Sequence, residues 1–278
     1  MITLNIEGLY IYPVKSLAGD EVKTATLTNA GLKGDREWMI VDRNGKFVSQ
    51  RKYPLLATLK ATLNHQGLIL TNKNRDSISI DQKRLNEELP VKIWNNPCQG
   101  LPASEDAGRW IADSIKANEQ LSLVYFDKRV RRELDLERFG PGYTYFSDAA
   151  PFLIANIASL NFLNQNLEKR GFNPVLMDRF RPNIVLSGLA AFEEHNINRI
   201  TSADGATEIT LIDHCQRCAV IAVDQSSGER SQGGHPLKQL AAINAMPKNP
   251  AAPAFGVNSV LSKTAGNSIS VGDHFTTV

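Results

Sequence analysis

The sequence lacks most of the features that would reveal a role directly. It has three cysteines in 278 residues, too few for a disulfide framework, so free thiols in a reducing compartment are expected. It has no excess of either charge. The 31 Lys and Arg against 29 Asp and Glu leave +2, which gives no general attraction for nucleic acid or anionic lipid. No apolar run approaches the roughly 18 residues needed to span a bilayer. "MITLNIEGLYIYPVKS" lacks the basic start and apolar core of a secretory signal. There is no internal repeat and no low-complexity tract. A cytoplasmic protein without a membrane or nucleic-acid partner is expected. The one basic cluster, "DKRVRREL" (127–134), reads first as a solvated surface segment and only second as an anion site.

What is present is an ordinary globular balance, 42% hydrophobic and 22% charged, enough for one large domain or two ordinary ones. The first 75 residues are strand-rich. "REWMIVD" and "KFVSQR" flank "RNG", a hairpin signal, and "LKATLN", "LILTN" and "SISID" follow as short strands. Residues 104–118 carry apolar positions at helical spacing after Ser104. "LSLVYF" (121–126) reads as a strand and 157–170 as a helix stopped by Gly171 and Pro174. "NIVLSG", "EITLID", "CAVIAVD" and the "SISVGDHF" region read as strands, "HPLKQLAAI" (235–243) as a short helix, and "MPKNPAAPAFG" as loop. The fold class is α+β and β-rich, with a boundary near residue 120 that gives domains 1–120 and 121–278.

Three stretches carry polar groups suited to an anion. In "YPVKSL" (12–17), Lys15 and Ser16 follow an extended Tyr12–Pro13 step and offer a point charge and a hydroxyl. In "GLKGDREWMIV" (31–41), Gly34 suits a tight turn. On the strand after it Arg36, Trp38 and Ile40 share a face, although an Asp35–Arg36 structural pair is an equal reading. In "DRFRPNIVLSG" (178–188), period two places Arg179, Arg181 and Asn183 together. Guanidinium forks there suit phosphate or carboxylate, and the amide suits a heterocycle edge. A polar outer face of an amphipathic strand explains the same pattern.

Two of the cysteines fall in "DHCQRCAV" (213–220). An extended backbone puts Cys215 and Arg217 on one side and Gln216 and Cys218 on the other. A turn would let the thiols converge, but a structural zinc needs four ligands, and no His pair has matching spacing. A thioredoxin-like dithiol wants a helix after C-x-x-C, and here a strand is expected. A buried pair of small hydrophobic thiols stays open. So does a single functional thiolate favoured by Arg217.

In chain order, "IYPVKSLAG", "GLKGDREWMIVD", "YFSDAAPFLIANIASLNFLN", "RFRPNIVLSG", "CQRCAVIAVDQSSGE", "PLKQLA", "FGVN" and "SVGDHF" resemble the MOSC family (molybdenum cofactor sulfurase C-terminal domain) with its N-terminal partner domain. Within it they are most similar to the group that contains the mitochondrial amidoxime-reducing component and its bacterial relatives. The resemblance implies an N-terminal β-barrel-like domain followed by a MOSC β-barrel of the pyruvate-kinase type with a few helices. It implies a bound molybdenum cofactor, Mo-molybdopterin, with a protein cysteine on the metal. Motif by motif, that cysteine is Cys218. Lys15, Ser16, Arg36 and Arg181 match the holders of the phosphate and pterin. Asn183, Gln216 and Arg217 match further cofactor contacts, with Gln216 where a smaller residue is expected.

The implied activity is two-electron reduction of N-hydroxylated compounds: hydroxylamines, amidoximes and N-hydroxylated bases. The sequence shows neither the plant-type ferredoxin domain of many bacterial members nor the membrane anchor of the mitochondrial ones. A separate ferredoxin-, flavodoxin- or reductase-like protein is therefore the expected electron donor. A persulfide sulfur carrier using Cys218 and a non-catalytic cofactor-binding protein are the alternatives. No residue stands out as a general acid.

Overall fold

The computed structural model describes residues 1–263 and 265–278. Seven strands close into a barrel. In spatial order they are Phe152–Asn156, Ile184–Ser187, Thr3–Ile11, His274–Thr277, Arg199–Ser202, Glu208–Gln216 and Asn249–Lys263, and the last pairs back onto the first. Every neighbouring pair is antiparallel except Phe152–Asn156 with Ile184–Ser187. Parallel strands need a crossover, and here the helix Ile157–Glu168 supplies it.

The barrel interior is mostly aliphatic with two aromatics: Leu4, Ile6, Phe152, Ile154, Ile184, Leu186, Ile200, Ile209, Leu211, Val257 and Phe275 are all buried together. The first strand shows how the pattern is kept. Leu4 and Ile6 point inward at period two. A bulge between Ile6 and Gly8 then shifts the parity, so that Leu9 also turns inward. Spatially, residues 3–11 and 24–32 belong with this barrel, since Thr24–Thr28 pairs with Ser268–Ser270 and Gly31–Leu32, whereas Val14 and Leu17 pack with the second body.

The second body is a curled four-stranded sheet in the order Trp38–Asp42, Leu121–Phe126, Asn96–Pro102, Leu89–Ile93. The meander Lys60–Leu63, Gly67–Thr71, Ser77–Asp81 and the helix Glu105–Ile115 cover it. Trp38–Asp42 is buried on both faces, and period two divides its side chains between two cores. Trp38 and Ile40 join the helix residues Ala107, Ile111 and Ile115. Met39 and Val41 join Phe126 and Phe146.

Several local expectations change. "KFVSQR" forms only isolated bridges after the Gly45 turn, Phe47 with Val41 and Lys46 with Lys92. "CAVIAVD" is not a strand: Ala219–Ala222 winds into a 3-10 turn capped by Cys218. "MPKNPAAPAFG" is not loop, because Asn249–Lys263 is one strand. Pro250 and Pro253 are tolerated at its start, where only the two-residue strand Ala245–Met246 pairs with it. Gly256 takes φ 74 within the strand, where a Cβ would meet the Ile154 carbonyl oxygen at 2.7 Å.

Candidate active site

Between the two bodies lies a cleft of about 480 Å³. Lys15, Ser16, Arg36, Arg181, Asn183, Gln216, Arg217 and Cys218 all line it, so eight positions from four separate stretches come to one place. Side chains from each body meet beside it. Gln50 and Gln225 exchange amide hydrogen bonds of 2.9 and 3.0 Å, and Gln50 Nε2 also donates to the Ser16 carbonyl at 2.9 Å.

The backbone at the cleft is strained. Among the described residues seven non-glycine residues have positive φ, and four of them line the cleft: Ser16 (74°), Arg36 (50°), Trp94 (54°) and Arg181 (56°). Each left-handed residue of this kind costs about 1–3 kcal/mol and persists only where its surroundings enforce it. The same geometry explains two departures from the expected strands. Arg36 precedes the strand, which starts at Trp38, and it does pair with Asp35, at 2.5 Å. Met177–Phe180 is a 3-10 turn rather than extended chain. Arg179 therefore leaves its expected neighbours and binds Asp224 and Ser231 at 2.9 and 2.8 Å.

The lining is cationic. Lys15, Arg36, Arg51, Arg138, Arg181 and Arg217 face it, against one acid, Asp148. Arg36 Nη1 donates to Asn183 Oδ1 at 2.9 Å and Nη2 to the Arg181 carbonyl at 3.0 Å. Asn183 also accepts from Leu153 N and donates to the Tyr10 carbonyl, so its amide positions Arg36. Arg181 Nη1 donates to the Leu17 carbonyl at 2.7 Å. Arg36 and Arg181 both pack on the ring of buried Tyr12, at 4.7 and 4.3 Å. Of the guanidinium groups lining the cleft, two have a buried N–H without a partner in the protein: Arg181 Nη2 and Arg217 Nε. Burial pushes the Arg181 guanidinium down to about 10, an effect Arg36 reinforces. At Arg36 desolvation acts the same way, but Asp35 outweighs it and the net shift is upward.

Lys15 is only 5% exposed. Its Nζ donates to the Phe146 carbonyl and to Asp148 Oδ1, both at 2.9 Å. Burial lowers its pKa to about 8, against the pull of Asp148. Asp148 also accepts from Trp94 Nε1 at 3.0 Å. Desolvation would raise that carboxyl, but Lys15 and Trp94 hold it well below the usual range. Its side chain is 65% exposed, so the aqueous side screens this interaction.

The cysteines have different neighbours. Arg217 Nη1 donates to Cys215 Sγ at 2.9 Å, and Nη2 to the Phe180 carbonyl at 2.8 Å. Cys218 is exposed, and Arg51 Nη1 approaches its sulfur at 3.4 Å. Arg217 thus serves the first thiol and Arg51 the second. Among the described residues no group of three or more His, Cys, Asp or Glu is placed to hold a metal, so the zinc-knuckle reading finds no further ligands.

Arg51, Trp94 and Asp148 were not singled out from the sequence. A Trp in the turn "WNN" was the available signal for one of them. The other two are ordinary charged residues until the chain folds.

Comparison with known proteins finds two family domains along the chain. The MOSC N-terminal beta barrel domain matches residues 3–118, and the MOSC domain matches residues 141–276. Mitochondrial amidoxime-reducing component 1 of Mus musculus is 31% identical over 245 residues, covering 84% of this chain and 70% of that protein. Mitochondrial amidoxime reducing component 2 of Bos taurus is 29% identical over 282 residues, covering 96% and 81%. Molybdenum cofactor sulfurase of Drosophila persimilis is 29% identical over 248 residues, covering 80% of this chain and 29% of that protein. The solved YUAD protein from Bacillus subtilis covers 99% of this chain and 94% of its own at 10% identity with a TM-score of 0.37, a likeness too slight to argue from.

Proposed function

Because the chain belongs to the MOSC family, with a MOSC N-terminal beta barrel domain ahead of a MOSC domain, we propose that it is a molybdenum-dependent oxidoreductase acting on N-hydroxylated compounds such as hydroxylamines and amidoximes. The observation that carries this reading is the cleft: a cationic lining with two partnerless buried guanidinium N–H groups beside an exposed thiol. Buried donors without partners are costly, and an anionic ligand would satisfy them. The residues present therefore fit a phosphate-bearing, metal-carrying pterin.

When bound, the molybdenum cofactor supplies the two-electron redox chemistry. In this reading the free N–H groups of Arg181 and Arg217 take its anionic part through charge-assisted bonds. Arg36 is fixed beside them by Asp35 and Asn183. Lys15 adds charge from below and anchors Asp148. Ser16 and Gln216 line the same walls. Cys218 is the soft sulfur donor for the metal, with the Arg51 guanidinium 3.4 Å from its sulfur. Trp94, tied to Asp148, forms a wall of the opening. Electrons come from a separate protein.

Dithionite-driven turnover of a hydroxylamine and of an amidoxime by molybdenum-loaded protein tests the reading. Reduction to the amine and amidine is expected, and a loaded protein that reduces neither contradicts it. The exposure of the Cys218 thiol also suits a persulfide carrier. Cyanide-releasable sulfur without N-hydroxy reduction would favour that second role.

A further inference from the structure

Trp94 and Arg51 stand where the cleft meets a second basin of about 530 Å³, lined by Lys46, Phe47, Arg51, Lys52, Trp94 and Asn95 among others. Phe47, Ser49, Arg51 and Trp94 belong to both cavities, so this outer basin adjoins the wall that carries Arg51 toward Cys218. Three features make it unlike ordinary surface. Trp94 is 49% exposed although its ring packs edge-on against Phe47 at 5.1 Å and lies under Arg51 at 4.7 Å. Lys46 and Lys92 occupy directly paired positions in an isolated bridge, and like charges placed opposite each other repel. The local acids are already engaged. Asp42 accepts the backbone N–H of Asn44 and Lys46, and Glu119 takes Lys52 and Tyr53. Among the described residues, Arg43, Lys46 and Lys92 join no ion pair.

We infer that this basin is the docking surface for an acidic electron-carrier protein, with Trp94 and Arg51 at the centre of the contact and Lys46, with Lys92 bridged to it, beside them. The inference rests on the reduction reading above for the purpose of the contact, and on the charge pattern alone for its place. An exposed aromatic with an Arg, ringed by cations, has the make-up of an interface core and rim. Carboxylates on the partner relieve the Lys46–Lys92 repulsion and steer the encounter, which then weakens with salt. Small redox contacts form over patches of this kind. A nucleic-acid or membrane surface is disfavoured, because the cations surround a single aromatic beside a redox cleft in a chain of net charge +2.

The test is a binding titration that needs no turnover. The holoprotein is titrated with an acidic flavodoxin at low and at high salt, with basic cytochrome c as the charge-reversed control. Saturable flavodoxin binding that weakens steeply with salt is expected, and the Lys46→Glu/Lys92→Glu double variant should raise its Kd at least about tenfold. Lys263→Glu, at the far end of the long barrel strand, should leave it unchanged. Dithionite-driven turnover is measured in the same samples. Lost binding with intact turnover supports the docking surface. Binding that is absent, or that the double variant leaves unchanged, overturns it whether or not the protein reduces its substrate. Single-stranded DNA bound more tightly than flavodoxin and released by the same variant would also overturn it.

Discussion

Cys215 and Cys218 lie three positions apart yet meet different arginines, and that difference predicts different consequences. Cys218→Ser replaces a soft thiolate with a hydroxyl hardly ionised at neutral pH, so N-hydroxy reduction should vanish while some pterin stays bound. Cys215→Ser removes only an acceptor of Arg217, whose other bond to the Phe180 carbonyl survives, so substantial activity should persist. Side-by-side assays of the two variants check this, and a dead Cys215→Ser with an active Cys218→Ser would reverse the assignment. Arg181→Ala should lower molybdenum content without unfolding the protein, since a lost charge-assisted bond costs roughly 1.5–3 kcal/mol. Metal content per folded chain is the readout.

At this scale Cys218, Arg36 and Arg181 do come to one cleft, although the strand spacing expected for the two arginines does not form. The sequence was opaque where identity is common and position decides. Arg51 reaches a sulfur 167 residues away, and no local pattern announces that.

Among the elements, periodicity located the helix Ile157–Glu168 and the meander strands because their burial is one-sided. It failed at Met177–Phe180, where an alternation of polar residues winds into a 3-10 turn, and at 218–223, where an apolar run does the same. An apolar run records burial and not backbone shape. It failed also at 249–253, where prolines mask a strand start that only an edge partner permits.

The short turn Glu193–Asn196 is held to the barrel strand Glu208–Gln216 by the stacked rings of His195 and His214, 3.9 Å apart. Burial, and then the proximity of His214, lowers His195 from 6.5 to about 4. Between these values the unfolded chain binds more protons than the folded one. The contribution to stability is therefore intact above pH 6.5 and is lost as pH falls toward 4. Unfolding free energy followed over that window should decline, and His195→Phe should flatten the decline. An equal slope in both proteins would show that His195 does not titrate as described.

Over the whole molecule, two bodies close one cleft, and each supplies part of it: Arg181 and Asn183 stand with the barrel strands, Lys15, Arg51 and Trp94 with the curled sheet. The chain order hides this, since residues 3–11 pair with strands beginning at residues 184 and 274. No helix among the described residues is long and apolar enough to cross a membrane. The account's central claim is that the cleft holds a molybdenum-bearing pterin. The most direct measurement is molybdenum content together with the fluorescence of oxidised pterin, on protein purified from a host that makes the cofactor. Equimolar molybdenum and pterin that fall together in Arg181→Ala are expected. Protein with neither, or with zinc in their place, would contradict the account.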